Sequence, residues 1–241
     1  MYFYSFSLPP PDLNIPPLTR RHQKLTYKTS NLREIPDHQE LFLSPETLSN
    51  LIIEINQRVP QEDALSTFTT LSHQNPTLAS GGDSTTASRE ILDQAAALYH
   101  LHDLCDEGDS LEVITPPQKV DVPRLTATAP AGTSISAYKG MVRFQNAPKQ
   151  RGQGPATNGV SAGTKIDGAE SGSKMTQLTC HYLLVRLEAQ ETDLLVFFNV
   201  PHEEFEKAGD AQGLSREEAL AEETVTAMVG GFEIKDWGLF V

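Results

Sequence analysis

The sequence predicts an α+β domain, a central and mostly antiparallel sheet flanked by helices. Three observations carry that expectation. Two apolar stretches, Thr176–Ala189 and Thr192–Pro201, are separated only by Gln190 and Glu191, which fits a tight antiparallel hairpin. Strand-like segments outnumber helical ones along the chain. Two further segments repeat apolar residues at helical spacing, and helices of that kind bury their stripe against a sheet.

Taken in order, residues 1–31 read as a disordered tail. Pro9, Pro10, Pro11, Pro16 and Pro17 favour extended geometry, and no periodic apolar face follows them. Arg20, Arg21 and Lys24 form a small basic cluster, either part of a solvated tail or a nuclear-localisation signal. Order is expected from residue 32. Leu41 and Leu43 share one face opposite Phe42, which marks a short strand, and Leu51, Ile53 and Ile55 alternate with Ile52, Glu54 and Asn56 over a second. The intervening SPETLSN is rich in turn formers, so the two strands pair as a hairpin. Residues 66–86, rich in Ser, Thr and Gly, read as a loop insertion.

A helix is expected over Ala87–Cys105, with Ile91, Ala95, Leu98, His102 and Cys105 on its buried stripe. Leu111–Thr115 reads as a strand stopped by Pro116 and Pro117, and Ala137–Asn146 as another. Residues 147–174 offer almost nothing to bury and read as a second, mobile insertion. In the final hairpin, the run Val196, Phe197 and Phe198 predicts a central strand covered on both faces. The last helix is expected to open on a capping box, Ser215 with Glu218, to bury Ala221, Val225, Met228 and Val229, and to stop at Gly230 and Gly231. The closing FEIKDWGLFV reads as a short strand and an anchored apolar terminus.

Chemistry is more easily excluded than assigned. With 32 acidic against 19 basic residues the net charge is −13, a field that repels nucleic acid. Solubility alone accounts for that charge, and attraction to a basic protein surface is the other reading. No apolar run approaches the ~20 residues that span a bilayer. The opening MYFYSFSL lacks a preceding basic residue and runs into prolines, so it does not read as a signal peptide. Cys105 and Cys180 stand far apart and form no paired motif, which suits reduced thiols in a nuclear or cytosolic compartment.

His100 and His102 suggest metal ligands, but on a helix they lie ~200° apart and cannot grip one ion. No phosphate-cradling loop follows a strand, so neither a nucleotide site nor any other cofactor is expected. The acids between Glu203 and Glu223 read either as a partner surface or as a solvated helix start.

Four sequence blocks then resemble the Ran guanine-nucleotide release factors. They are LREIPDHQELFL (Leu32–Leu43), LIIEINQRV (Leu51–Val59), ETDLLVFFNVP and FEIKDWGLF, in the family's order, with the weaker YHLHDL (Tyr99–Leu104) between them. The resemblance implies a fold similar to the PsbP-type lumenal photosystem proteins. It also implies a non-enzymatic monomer of nucleus and cytoplasm that binds the small GTPase Ran, promotes nucleotide release and supports nuclear import. Residues 32–241 form that domain.

The family's partner surface is acidic. Glu54 falls on one of its acidic positions, Gln57 stands where a second acid is usual, and Asp37 and Glu40 are placed beside the patch. The implied partner-binding residues are therefore Asp37, Glu40, Glu54 and Gln57, with Glu54 exposed. The family's opening glycine-containing strand has no counterpart in Met1–Asn31, which implies a divergent or misassigned start and an unpaired sheet edge. Two other readings stay open: an interaction domain of the same fold that no longer acts on Ran, and a metal-dependent enzyme using His100, His102 or His181.

Overall fold

The structure, a computed structural model, describes residues 27–28, 38–78, 89–146 and 176–239. Apart from Tyr27 and Lys28, the tail therefore lies outside the described residues, as do Asp37, residues 79–86 and the insertion at 147–174.

The fold is α+β, as expected. Among the described residues seven antiparallel strands form one sheet: β1 (Tyr27–Lys28), β2 (Gln39–Leu43), β3 (Asn50–Gln57), β4 (Ser110–Val120), β5 (Ile135–Asn146), β6 (Thr176–Leu187) and β7 (Thr192–Pro201). Their order across the sheet is β1-β2-β3-β7-β6-β5-β4. The last four strands form a meander that brings β7 back against β3. The β6–β7 turn comprises Glu188–Glu191, longer than the two residues expected, because Leu187 and Thr192 are the last pair in register. Glu191 closes it in the left-handed region at φ 48°.

Helices cover both faces. On one lie α1 (Gln61–Gln74) and α2 (Arg89–Asp103), packed on Val113, Val142, Tyr182, Leu184, Leu195 and Phe197. On the other, α3 (Pro123–Thr128), α4 (Glu203–Ala208) and α5 (Ala211–Gly231) cover Leu51, Ile53, Leu183, Val185, Val196 and Phe198. The run Val196–Phe198 is buried throughout, as a strand covered on both faces requires.

Six expectations need correction. The segment expected as a loop at 66–86 contains most of α1. Its hydroxyls do not break the helix because they bond back one turn, Thr69 to the Leu65 carbonyl at 2.8 Å and Ser72 to that of Phe68 at 2.7 Å, while Ala64 and Leu71 are buried. Pro116 and Pro117 do not end β4. That strand is the sheet's edge, where a missing N–H costs no ladder bond, and its register shifts between Val113 and Gln118 absorb the two prolines.

The buried face of α2 is rotated from the expected stripe. Ala95 and Leu98 are buried, but His102 is exposed, and Asp93, His100 and Leu101 are inside. Helix α5 starts four residues before the expected capping box, where Asp210 accepts a bond from the Gly213 amide at 2.7 Å. After α5, Phe232 and Ile234 are buried without forming a strand, and Trp237–Leu239 make a single 3₁₀ turn. Within the expected tail, β1 pairs with Phe42 and Leu43, so β2 is not left bare along that stretch.

Candidate functional site

Beneath the α1/α2 face lies a buried group of charges. Arg186, 4% exposed, projects from β6 and donates to Asp193 at 2.9 Å and to Asp93 at 2.9 Å. Asp193 on β7 is completely buried and also meets His100 Nε2 of α2 at 3.0 Å. Ser136 donates to Asp93 at 2.8 Å. Burial alone would raise the Asp193 carboxyl, but the His100 hydrogen bond and the Arg186 charge outweigh it and hold the group below its ordinary range.

The cluster also fixes backbone. The Val59 amide donates to Asp193 at 3.1 Å, Arg186 donates to the Val59 carbonyl at 3.3 Å, and the Arg58 amide donates to the Glu191 carbonyl at 2.8 Å. The chain leaving β3 is thus pinned at two successive residues. A segment so held presents its side chains in one geometry.

Those side chains open onto a cleft of about 330 Å³ between the end of β3 and the last turn of α2. Glu54 and Gln57 line it from the sheet, Tyr99 and Asp103 from the helix, and Leu104 from the turn just after it. Glu54 is not fully exposed as expected. Its side chain is 14% accessible and lies 3.8 Å from His38 Nε2, because β3 carries Glu54 on the same face as Ile52, toward α2. Gln57, at the strand's end, is exposed.

Glu40 does not join them. It lies opposite Ile53 in register, and cross-strand partners share a face, so it points to the α5 side of the sheet. Glu54 and Gln57 both line the cleft, Gln57 at its rim where β3 ends, and Glu40 lies on another surface. The role of Asp37, outside the described residues, is carried by the resemblance alone.

The histidines separate. His100 is bound to Asp193, His102 is exposed, and His181 meets Glu222 at 3.1 Å on the α5 face. No group of three or more potential metal ligands is found among the described residues. Cys105 and Cys180 are free thiols. Burial pushes the Cys105 thiol up to about 11, helped by Asp109 and Asp106, and burial pushes Cys180 up as well. The acids of α4 and α5 are partly engaged within the fold: Glu218 bonds Thr179 at 3.1 Å, and Glu222 meets Lys139 at 2.6 Å.

Sequence reasoning passed over Asp93, Arg186 and Asp193 and the contribution of α2 to the cleft. The available signal was charge interrupting apolar runs. Arg186 stands inside LLVRL, Asp193 opens a buried strand, and Asp93 shares a helix face with Ala96, Ala97 and His100.

A family model described as Ran-interacting Mog1 protein matches residues 23–201. No curated protein matches. Two solved structures are similar at low identity. One is a mutant form of protein Mog1, with 17% identity, a TM-score of 0.46 and 89% of each chain covered. The other is the Saccharomyces cerevisiae Ran-binding protein Mog1p, with 18% identity, a TM-score of 0.45, and 89% of this chain and 88% of that chain covered.

Proposed function

This chain belongs to the Ran-interacting Mog1 protein family, and from that premise we propose that it binds the small GTPase Ran, promotes release of its guanine nucleotide and so supports nuclear import. The observation that carries the reading is the family match over residues 23–201, a span that contains every residue lining the acidic cleft. The cleft supplies the chemistry of recognition. A partly buried carboxylate, Glu54, and an exposed amide, Gln57, line it on a backbone held by buried charges. The protein contributes binding energy and no covalent step. It acts as a monomer in nucleus and cytoplasm, with a fold of the PsbP type.

Binding energy of this kind releases nucleotide when it favours the nucleotide-free partner over the loaded one. Capture of nucleotide-free Ran, followed by the rate at which labelled nucleotide leaves Ran in the protein's presence, tests the reading. Capture with accelerated release supports it. Gln57 favours a second reading, since it replaces a charge with a neutral amide in the cleft. In that case the chain is an interaction domain of the same fold that leaves Ran untouched, and both assays return the values seen without it.

A further inference from the structure

We propose that the C-terminal end of α2, through Tyr99, Asp103 and the following Leu104, is the second wall of the partner-binding cleft and receives a long basic side chain, lysine or arginine, from the GTPase. The inference rests on the Ran-binding reading and deepens it, by naming residues of this chain and the chemistry of what they hold.

Charge gives the first argument. Asp103 and Glu54 bring carboxylates to one cleft from two elements. Asp103 is exposed and makes no ion pair among the described residues. Arg58, the one lysine or arginine lining the cleft, is turned toward Glu188 at 3.8 Å. His38, itself 53% exposed, lies 3.8 Å from Glu54, a contact that an incoming ammonium or guanidinium displaces readily.

Apolar surface gives the second. Leu104 is 52% accessible and is one of two large hydrophobic residues classed as exposed among the described residues. An exposed leucine and a half-buried tyrosine beside two carboxylates match the aliphatic stem and charged head of one long basic side chain.

Helix electrostatics gives the third. Asp103 is the last residue of α2, where the negative end of the helix dipole disfavours a carboxylate. An acid at the negative end of a helix is unfavourable until a cation arrives. A residue placed against local stability is what a binding site requires.

Binding of the full chain to immobilised nucleotide-free Ran, at low and at physiological salt, tests this with Asp103→Lys, Leu104→Ser, Glu54→Lys and, as a control on the opposite face, Glu223→Lys. Asp103→Lys should weaken binding about tenfold at low salt and less at physiological salt, mainly through slower association. Leu104→Ser should weaken it severalfold at both. Thermal melts should show both proteins folded, with Asp103→Lys no less stable than the parent, an outcome that a merely structural aspartate would not give.

If Glu54→Lys weakens binding while Asp103→Lys and Leu104→Ser stay within twofold of the parent, the second wall is wrong and the Ran reading stands. If Glu223→Lys weakens binding as much as Asp103→Lys, the effect is net charge and the proposal is overturned. If the parent fails to bind, the Ran reading itself falls.

Discussion

Arg186 sits between two carboxylates with almost no access to water, and that position determines what its loss would cost. Removing it leaves Asp93 and Asp193 buried and unpaired, apart from His100 on one side. Arg186→Leu should therefore destabilise the fold by about 3–5 kcal/mol, read as a lower denaturant midpoint. It should also loosen Val59 and weaken partner binding beyond what lost stability explains, because the backbone under Gln57 is no longer held.

His202 makes a separate claim about pH. Burial, with Arg143 nearby, lowers its pKa below 6.5 despite the opposing pull of Glu218 and Glu206. A histidine depressed in the folded state binds protons more readily when unfolded. Its contribution is full above pH 6.5 and is lost as pH falls through the folded value. Melting temperature followed downward from pH 7 should decline from about that point, and His202→Gln should flatten the decline. An identical profile in the variant would remove His202 from the account. Glu222, lowered because its bonds to Lys139 and His181 outweigh burial, acts in a separate window. Its contribution is held above 4.5 and lost as pH falls below.

At this scale the sequence made part of the site legible. Glu54 interrupts an apolar strand, and the period of two placed it on the polar side of the β3 pattern. It could not show that α2 closes over that side, so Glu54 lies in a cleft and not on open surface. Glu40 was misplaced for a related reason: nearness in sequence to Asp37 says nothing about which face of β2 a side chain takes. Gln57 is exposed at the cleft rim, so Gln57→Glu should tighten Ran binding, most at low salt, with stability unchanged within ~0.5 kcal/mol.

Among elements, the sheet was the readable part. Alternation and short connections located β2, β3 and β5–β7 to within a few residues, because a strand's period is local and a hairpin needs no distant information. The helices were less legible. Segment 61–74 has the composition of a loop, and it is helical because Ala64 and Leu71 pack beneath α2 while its hydroxyls bond backward. Tertiary packing overrides propensity there. Leu71→Ala should cost about 2–5 kcal/mol, since Leu71 is wholly inaccessible. A loss under 0.5 kcal/mol in chemical denaturation would mean that α1 is not part of the folded core.

The rotated face of α2 has the same origin. Asp93 and His100 look polar in the sequence, and they are inside because Arg186 and Asp193 meet them from the sheet. Such pairing joins residues 93 positions apart, beyond any local pattern.

For the whole molecule, the decisive quantities are charge and pre-organisation. A net charge of −13 accelerates encounter with a basic surface and falls off with salt, yet it does not choose an orientation. On the proposed reading orientation comes from the cleft, whose sheet wall is pinned by buried hydrogen bonds and whose helix wall ends in an acid with no ion pair among the described residues. Neither could be read from composition, since both depend on a topology that returns β7 to the side of β3.

On the proposed function this cleft engages Ran and speeds loss of its nucleotide. The direct measurement is the rate of labelled GDP release from Ran with the parent protein and with Glu54→Gln, which keeps the side chain's size and removes its charge. The parent should accelerate release severalfold or more over Ran alone, and folded Glu54→Gln should lose most of that acceleration. Release by folded Glu54→Gln at the parental rate, or no acceleration by the parent, would contradict the proposed function.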